Sequence, residues 1–133
     1  MKTVVTALIL NPQKDKFLIV KRKKSESIHS SLWAFPGGKV ERDESLRDAL
    51  KREVKEETSL EVNDDFKKLS EFGYRRARGI TVGTCFSCIA LSENVKISKE
   101  HDDFKWVKPE EFSEYNHIPG LENEVKKFFS GYF

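Results

Sequence analysis

The stretch Ser45–Thr58 constrains this chain more than any other. It is rich in Leu, Ala, Arg, Lys and Glu and has no glycine or proline, a composition that favours a helix. With Leu46 at zero and ~100° per residue, Leu50 falls at about +40°, Val54 at about +80° and Ala49 at about −60°. These residues define a core-facing stripe. An ordinary surface helix puts its acids on the opposite side. Here Glu53 falls at about −20° and Glu57 at about +20°, inside the stripe, with Glu56 at its edge near about −80°. Arg47, Asp48, Lys51 and Lys55 take the solvent side. The carboxylates point inward.

Acids gathered on a buried face repel one another and lose hydration, a cost of several kcal/mol unless something compensates. Arg52 answers for one of them. A divalent cation answers for all three, because clustered oxygen donors suit Mg²⁺ or Mn²⁺. The structural alternative is a helix that runs past the sheet edge with its last turn solvated. Upstream, Phe35-Pro36-Gly37-Gly38-Lys39 reads as a strand ending in a Pro-Gly-Gly turn, where glycines permit positive φ and a close approach of backbone to ligand. Glu41 and Glu44 follow just before the helix, where acids favour the positive end of its dipole.

The 133 residues read as one domain, 1–133, without repeats or linkers. Strands are expected at Val4–Leu10, Phe17–Val20, Leu32–Phe35, Phe66–Tyr74, Ile80–Leu91 and Phe104–Val107, with an exposed basic loop from Lys21 to Ser31. Short helices are expected at Glu110–Tyr115, after Pro109, and at Leu121–Phe129. This is a mixed α/β or α+β pattern. With 38% apolar residues and 10 Phe, the chain is not disordered. A net charge of +2 gives no general pull toward nucleic acid. Val4–Leu10 is too short for a membrane span or a signal sequence and reads as a buried first strand. Two cysteines make no disulfide framework, so the expected compartment is the cytoplasm. Cys85 and Cys88, three apart on a strand, should point to opposite faces and act as core residues, not zinc ligands.

Gly38, five residues, Glu44, seven residues, then Arg52-Glu53-Val54-Lys55-Glu56-Glu57-Thr58-Ser59-Leu60 resembles the Nudix box, G-x5-E-x7-R-E-U-x-E-E-x-G-U with U aliphatic. The one departure is Ser59 in place of glycine, just past the helix end, where serine either costs about 1 kcal/mol in a left-handed cap or moves the cap slightly. The strands before the box and Glu100-His101-Asp102-Asp103-Phe104-Lys105-Trp106-Val107 after it also look like the family. The resemblance implies the Nudix fold, a mixed β-sheet sandwiched between helices. It implies a metal-dependent hydrolase of a nucleoside diphosphate linked to another group.

The resemblance further implies that Glu53, Glu56 and Glu57 hold Mg²⁺ or Mn²⁺, with the Gly37 carbonyl and Glu100 as further ligands. Arg52 would orient Glu53, either Glu53 or Glu100 would be the general base, and Gly38 and Glu44 would support the box. Arg22 and Lys23 either reach substrate phosphates or belong to a solvated charge run, and Arg75, Arg76 and Arg78 carry the same two readings. Phe35, Trp33 and Tyr74 either stack on a base or pack in the core, and Asn116 is placed to read a base. His101, Asp102 and Asp103 read as solvated loop residues. The foremost substrate is a (deoxy)nucleoside triphosphate cleaved to monophosphate and pyrophosphate. ADP-ribose and nucleotide sugars, dinucleoside polyphosphates, capped RNA ends and a non-catalytic nucleotide sensor are the alternatives. The expected partner is a small nucleotide, with no membrane and no stable nucleic-acid partner. The chain would be a monomer, or a homodimer through strand edges or Phe128-Phe129.

Overall fold

Strand β1 (Lys2–Leu10) is the axis of a seven-stranded sheet. A computed structural model describes residues 1–25 and 30–130. On one side β1 runs parallel to β6 (Gly79–Ile89), in register from Lys2 opposite Thr81 to Leu10 opposite Ile89. On its other side two different strands share it. β4 (Gly37–Lys39) pairs antiparallel along Val4–Thr6, and β2 (Phe17–Arg22) meets it only where Leu10 faces Phe17. β2 carries β3 (Trp33–Ala34) and β7 (His101–Val107) as antiparallel neighbours, and β5 (Lys67–Arg76) pairs antiparallel with β6.

The period-2 alternation of strands divides the core in two. Val5, Ala7 and Ile9 face helix α1 (Leu46–Thr58) and pack with Ala49, Leu50 and Val54. Leu8 and Leu10 face the other way, toward Phe17, Phe35, Phe112 and Val125, under a 3-10 helix at Pro109–Glu114 and helix α2 (Leu121–Phe129). The sheet is thus mixed and sandwiched between helices, as expected. Cys85 joins the α2-side cluster and Cys88 the α1-side cluster, so the two thiols do lie on opposite faces. Burial pushes both up to about 12, and both are free.

Four expectations are corrected. Pro36-Gly37-Gly38 is not a turn, because Gly37 and Gly38 form β4 and neither has a positive φ. The basic stretch from Lys21 does not begin as a loop, because β2 runs on through Lys21 and Arg22, which pair with Trp33, Asp103 and His101; residues 26–29 of that stretch lie outside the described residues. The last strand begins at His101, ahead of Phe104. The helix after Lys108 is a 3-10 turn ending at Glu114, its start closed by the Glu111 carboxylate on the Lys108 N–H at 2.8 Å. Phe129 packs on Phe17 with ring centroids 5.8 Å apart, so much of the closing aromatic pair is used inside the chain.

Ser45 caps α1 through its Oγ, which accepts from the Asp48 N–H at 3.1 Å. At the other end Ser59 takes the left-handed conformation, φ 65°, and its N–H closes on the Lys55 carbonyl. This is the conformation glycine adopts without penalty. The exposed Ser59 Oγ bonds to the Lys96 carbonyl at 3.2 Å, a partial offset. Ser59→Gly should therefore raise the thermal midpoint by about 2–4 °C, read by calorimetry.

Candidate active site

The site is assembled where the last two turns of α1 lie over β4. Gly37 and Gly38 are required there by space. A Cβ on Gly38 would fall 2.4 Å from the Glu53 carboxyl, and one on Gly37 would fall 2.2 Å from the Val5 carbonyl oxygen. Gly38 therefore admits a carboxylate of the protein itself against the strand backbone, and Gly37 admits the close approach of β1. The Gly37 N–H donates to Glu57 Oε2 at 3.2 Å.

Arg52 organises the acids. Its Nε and Nη2 donate to the two oxygens of Glu44 at 2.7 and 2.9 Å, a bidentate pair. Nη1 reaches Glu53 Oε1 at 2.9 Å and Glu56 Oε2 at 3.3 Å, and Nη2 also binds the Lys39 carbonyl at 3.0 Å. The Arg52 bond, followed by the Glu41 N–H, holds the Glu44 carboxyl down at about 2. Arg52 therefore ties the residue before the helix, the helix and the end of β4 into one unit.

The rotation argument holds for two of the three acids. The side chain of Glu53 is 15% exposed and that of Glu57 5%, whereas Glu56 is 60% exposed and turned to Arg52. Glu57 meets Glu53 directly. Burial first, then the hydrogen bond and like charge of Glu53, push its carboxyl up to about 9, against a lowering by the Gly37 N–H and a further rise from Glu100. Among the described residues, no three carboxylate, imidazole or thiol side chains are already closed into a metal cage. The donor set nevertheless fits a hard divalent cation. Two carboxylates are pressed together, Arg52 reaches Glu53 but not Glu57 among the described residues, and all the donors are oxygens.

The sign of the pH effect follows from Glu57. With its folded value raised from 4.5 to about 9, the stabilising contribution is full below the unfolded value and is lost as pH rises through about 9. Glu44 and His101, both lowered, act the other way but only at acid pH, below the ordinary values of 4.5 and 6.5. Between about pH 7 and about 9 the metal-free protein should lose thermal stability, and saturating Mg²⁺ should flatten that slope. Calorimetry with and without Mg²⁺ checks both halves.

The start of β7 is laced to the end of α1. The N–H groups of Lys96 and Ser98 donate to the carbonyls of Thr58 and Glu57 at 2.9 and 3.0 Å. This brings the Glu100 turn alongside Glu57, close enough for its charge to be felt there. His101, read from sequence as a loop residue, is instead the first residue of a strand with its side chain only 8% exposed, and its Nε2 lies 3.4 Å from Glu57 Oε1. The correction has a physical cause: β7 starts at His101, opposite Arg22, so its ring is folded under the strand end. Nothing in the local sequence distinguishes it from its charged neighbours.

The other candidates are more scattered. The Lys23 ammonium donates to the Lys99 carbonyl at 3.1 Å, so here it braces the Glu100 turn. Arg22 is exposed at the end of β2, with its charge felt by His101. Phe35 is 5% exposed, edge-on to Phe17 in the core. Trp33 packs edge-on to Tyr115, and Tyr74 is 43% exposed on β5. Asn116 is exposed, with its carbonyl bound by the Trp33 N–H at 2.9 Å. Arg75 and Arg78 sit at the tip of the β5–β6 hairpin, separated from β4 by β1 and β6.

A family model described as the NUDIX domain matches residues 1–129. A nucleoside triphosphatase named NudI, from Escherichia coli, is 30% identical over 125 residues, spanning 86% of this chain and 87% of its own. A MutT protein from Methanosarcina mazei superposes with a TM-score of 0.80 at 26% identity, over 98% of this chain and 94% of that one. The solution structure of the E. coli ORF135 protein gives 0.78 at 29% identity, over 98% and 89%. No helix among the described residues is long and apolar enough to cross a membrane. Nudix hydrolases generally work with divalent metal ions, in keeping with the crowded acid pair on α1. The match takes in the sheet, the box and the downstream strand together, so the chain belongs to the NUDIX family and is a hydrolase of phosphoric anhydride bonds.

Proposed function

We propose that this chain cleaves a nucleoside or deoxynucleoside triphosphate to the monophosphate and pyrophosphate, using Mg²⁺ or Mn²⁺. The observation that carries the reading is the meeting of Glu53 and Glu57 over the Gly37-Gly38 strand, with Glu57 buried against the like charge of Glu53. Glu53 and Glu57 would hold the cation, with Glu56 turning inward from Arg52, and the Gly37 carbonyl and Glu100 completing the set. The cation supplies charge neutralisation on the polyphosphate and a more acidic water. Arg52 keeps Glu53 in place through the bond from its Nη1 to Glu53 Oε1. Glu53 or Glu100 receives the proton of the attacking water. Arg22, exposed and paired with His101, would meet a phosphate, while Lys23 would first have to release Lys99. The triphosphate substrate is supported by the likeness to a nucleoside triphosphatase that spans most of both chains.

The test is a panel of nucleoside and deoxynucleoside triphosphates, ADP-ribose, nucleotide sugars, dinucleoside polyphosphates and capped RNA, incubated with Mg²⁺ and read by product mass. Metal-dependent release of monophosphate and pyrophosphate from a triphosphate is expected. Turnover confined to another class, or binding without turnover anywhere, would replace this reading with one of the alternatives.

A further inference from the structure

We propose that His101 is a positioning residue for the metal-binding carboxylate Glu57: its imidazole, as the Nε2–H tautomer, donates to Glu57 Oε1 and holds the carboxylate on the α1 face that meets the cation. This rests on the reading of Glu57 as a cation ligand.

The placement is built from the Glu57 backbone outward. The Glu57 carbonyl accepts from the Ser98 N–H at 3.0 Å, and the Ser98 carbonyl accepts from the His101 N–H at 3.2 Å. Two successive backbone bonds thus carry the imidazole back to the side chain of the residue they start from. Both side chains are more than nine-tenths buried, and Nε2 stands 3.4 Å from Oε1. That separation is long for a finished bond, as is common before a catalytic site is loaded.

The tautomer follows from the other ring nitrogen. His101 Nδ1 is the one fully buried side-chain nitrogen or oxygen without a partner among the described residues. Placing the hydrogen on Nδ1 would bury an N–H with no acceptor, whereas placing it on Nε2 leaves only a bare lone pair there. The Nε2–H then points a donor at Glu57. Glu57 Oε2 already accepts from the Gly37 N–H at 3.2 Å, so the two oxygens would be held from opposite sides, by β4 and by β7. A carboxylate restrained at both oxygens has little rotamer freedom left to lose when it takes a cation, and such supporting bonds commonly carry 10- to 100-fold of metal affinity (roughly).

The experiment is Mn²⁺ binding to the full chain, read by electron paramagnetic resonance of free Mn²⁺, in wild type, Glu57→Gln, His101→Leu, His101→Asn and His101→Gln. A glutamine amide reaches the Nε2 position, whereas the asparagine amide stops near Nδ1. His101→Leu and His101→Asn should weaken Mn²⁺ about tenfold, and His101→Gln should stay within about threefold of wild type. Unchanged affinity in the Leu and Asn variants, or equal affinity in Asn and Gln, overturns the proposal. Should the Leu variant fail to fold, the Asn and Gln pair decides alone. The Glu57→Gln arm separates the two levels. Wild-type Mn²⁺ binding that does not depend on Glu57 overturns the ligand reading and this one with it, whereas Glu57-dependent binding indifferent to His101 overturns this one only.

Discussion

Glu57→Gln should lower kcat by roughly 10³-fold or more while making the metal-free protein more stable above pH 8. The substitution keeps the size of the side chain and an oxygen to accept the Gly37 N–H, now 3.2 Å from Glu57 Oε2. It removes the ionisable group that burial and Glu53 push up to about 9. In the wild type, ionising that group without a cation leaves two like charges in a site 5% and 15% exposed. The amide has no such charge, so the thermal midpoint at alkaline pH should rise. It also binds a hard cation poorly, so turnover should collapse and raising Mg²⁺ should recover little of it. Steady-state kinetics over a Mg²⁺ series, beside calorimetry at about pH 8.5, reads both signs. An active variant, or one less stable than wild type at that pH, would remove the account of Glu57 given above.

The glycine pair should separate structure from chemistry. On Gly38 a methyl group meets only the end of a side chain, the Glu53 carboxyl at 2.4 Å, which can swing away from it. Gly38→Ala should therefore fold, with the carboxylate displaced by about 1 Å and kcat lower by about 10²-fold. On Gly37 the methyl group meets backbone, the Val5 carbonyl oxygen at 2.2 Å, which can move only with β1. Gly37→Ala should cost about 3 kcal/mol of stability, because β1 is the central pairing strand of the sheet. Denaturant titration and kinetics on both variants give the comparison. Equal loss of stability in the two would show that the strand, and not Glu53, is what Gly38 accommodates.

The inward acids of α1 were legible because a helix converts residue spacing into direction without help from the rest of the chain. Glu57 is buried and Glu53 largely covered, as the count implies, and Glu56, at the edge of the stripe, is 60% exposed. The left-handed end at Ser59 was legible for the same reason, since the cap depends on local dihedrals alone. The Pro-Gly-Gly segment misled because a turn and a short edge strand share a composition. Only the pairing of β4 with Val4–Thr6 separates them.

What the sequence determined by itself is therefore the helix, its acid-bearing face, its left-handed end and the box spacing that marks the family. These are properties of residues within a few turns of one another. The tertiary structure alone decided that β1 lies parallel to β6, that Gly38 lies beneath Glu53, and that His101 comes to rest on Glu57. Those contacts join separate elements, from Gly38 and Glu53, 15 residues apart, to Lys2 and Thr81, 79 apart. Their stability comes from pairing and burial shared between elements, which no local pattern encodes.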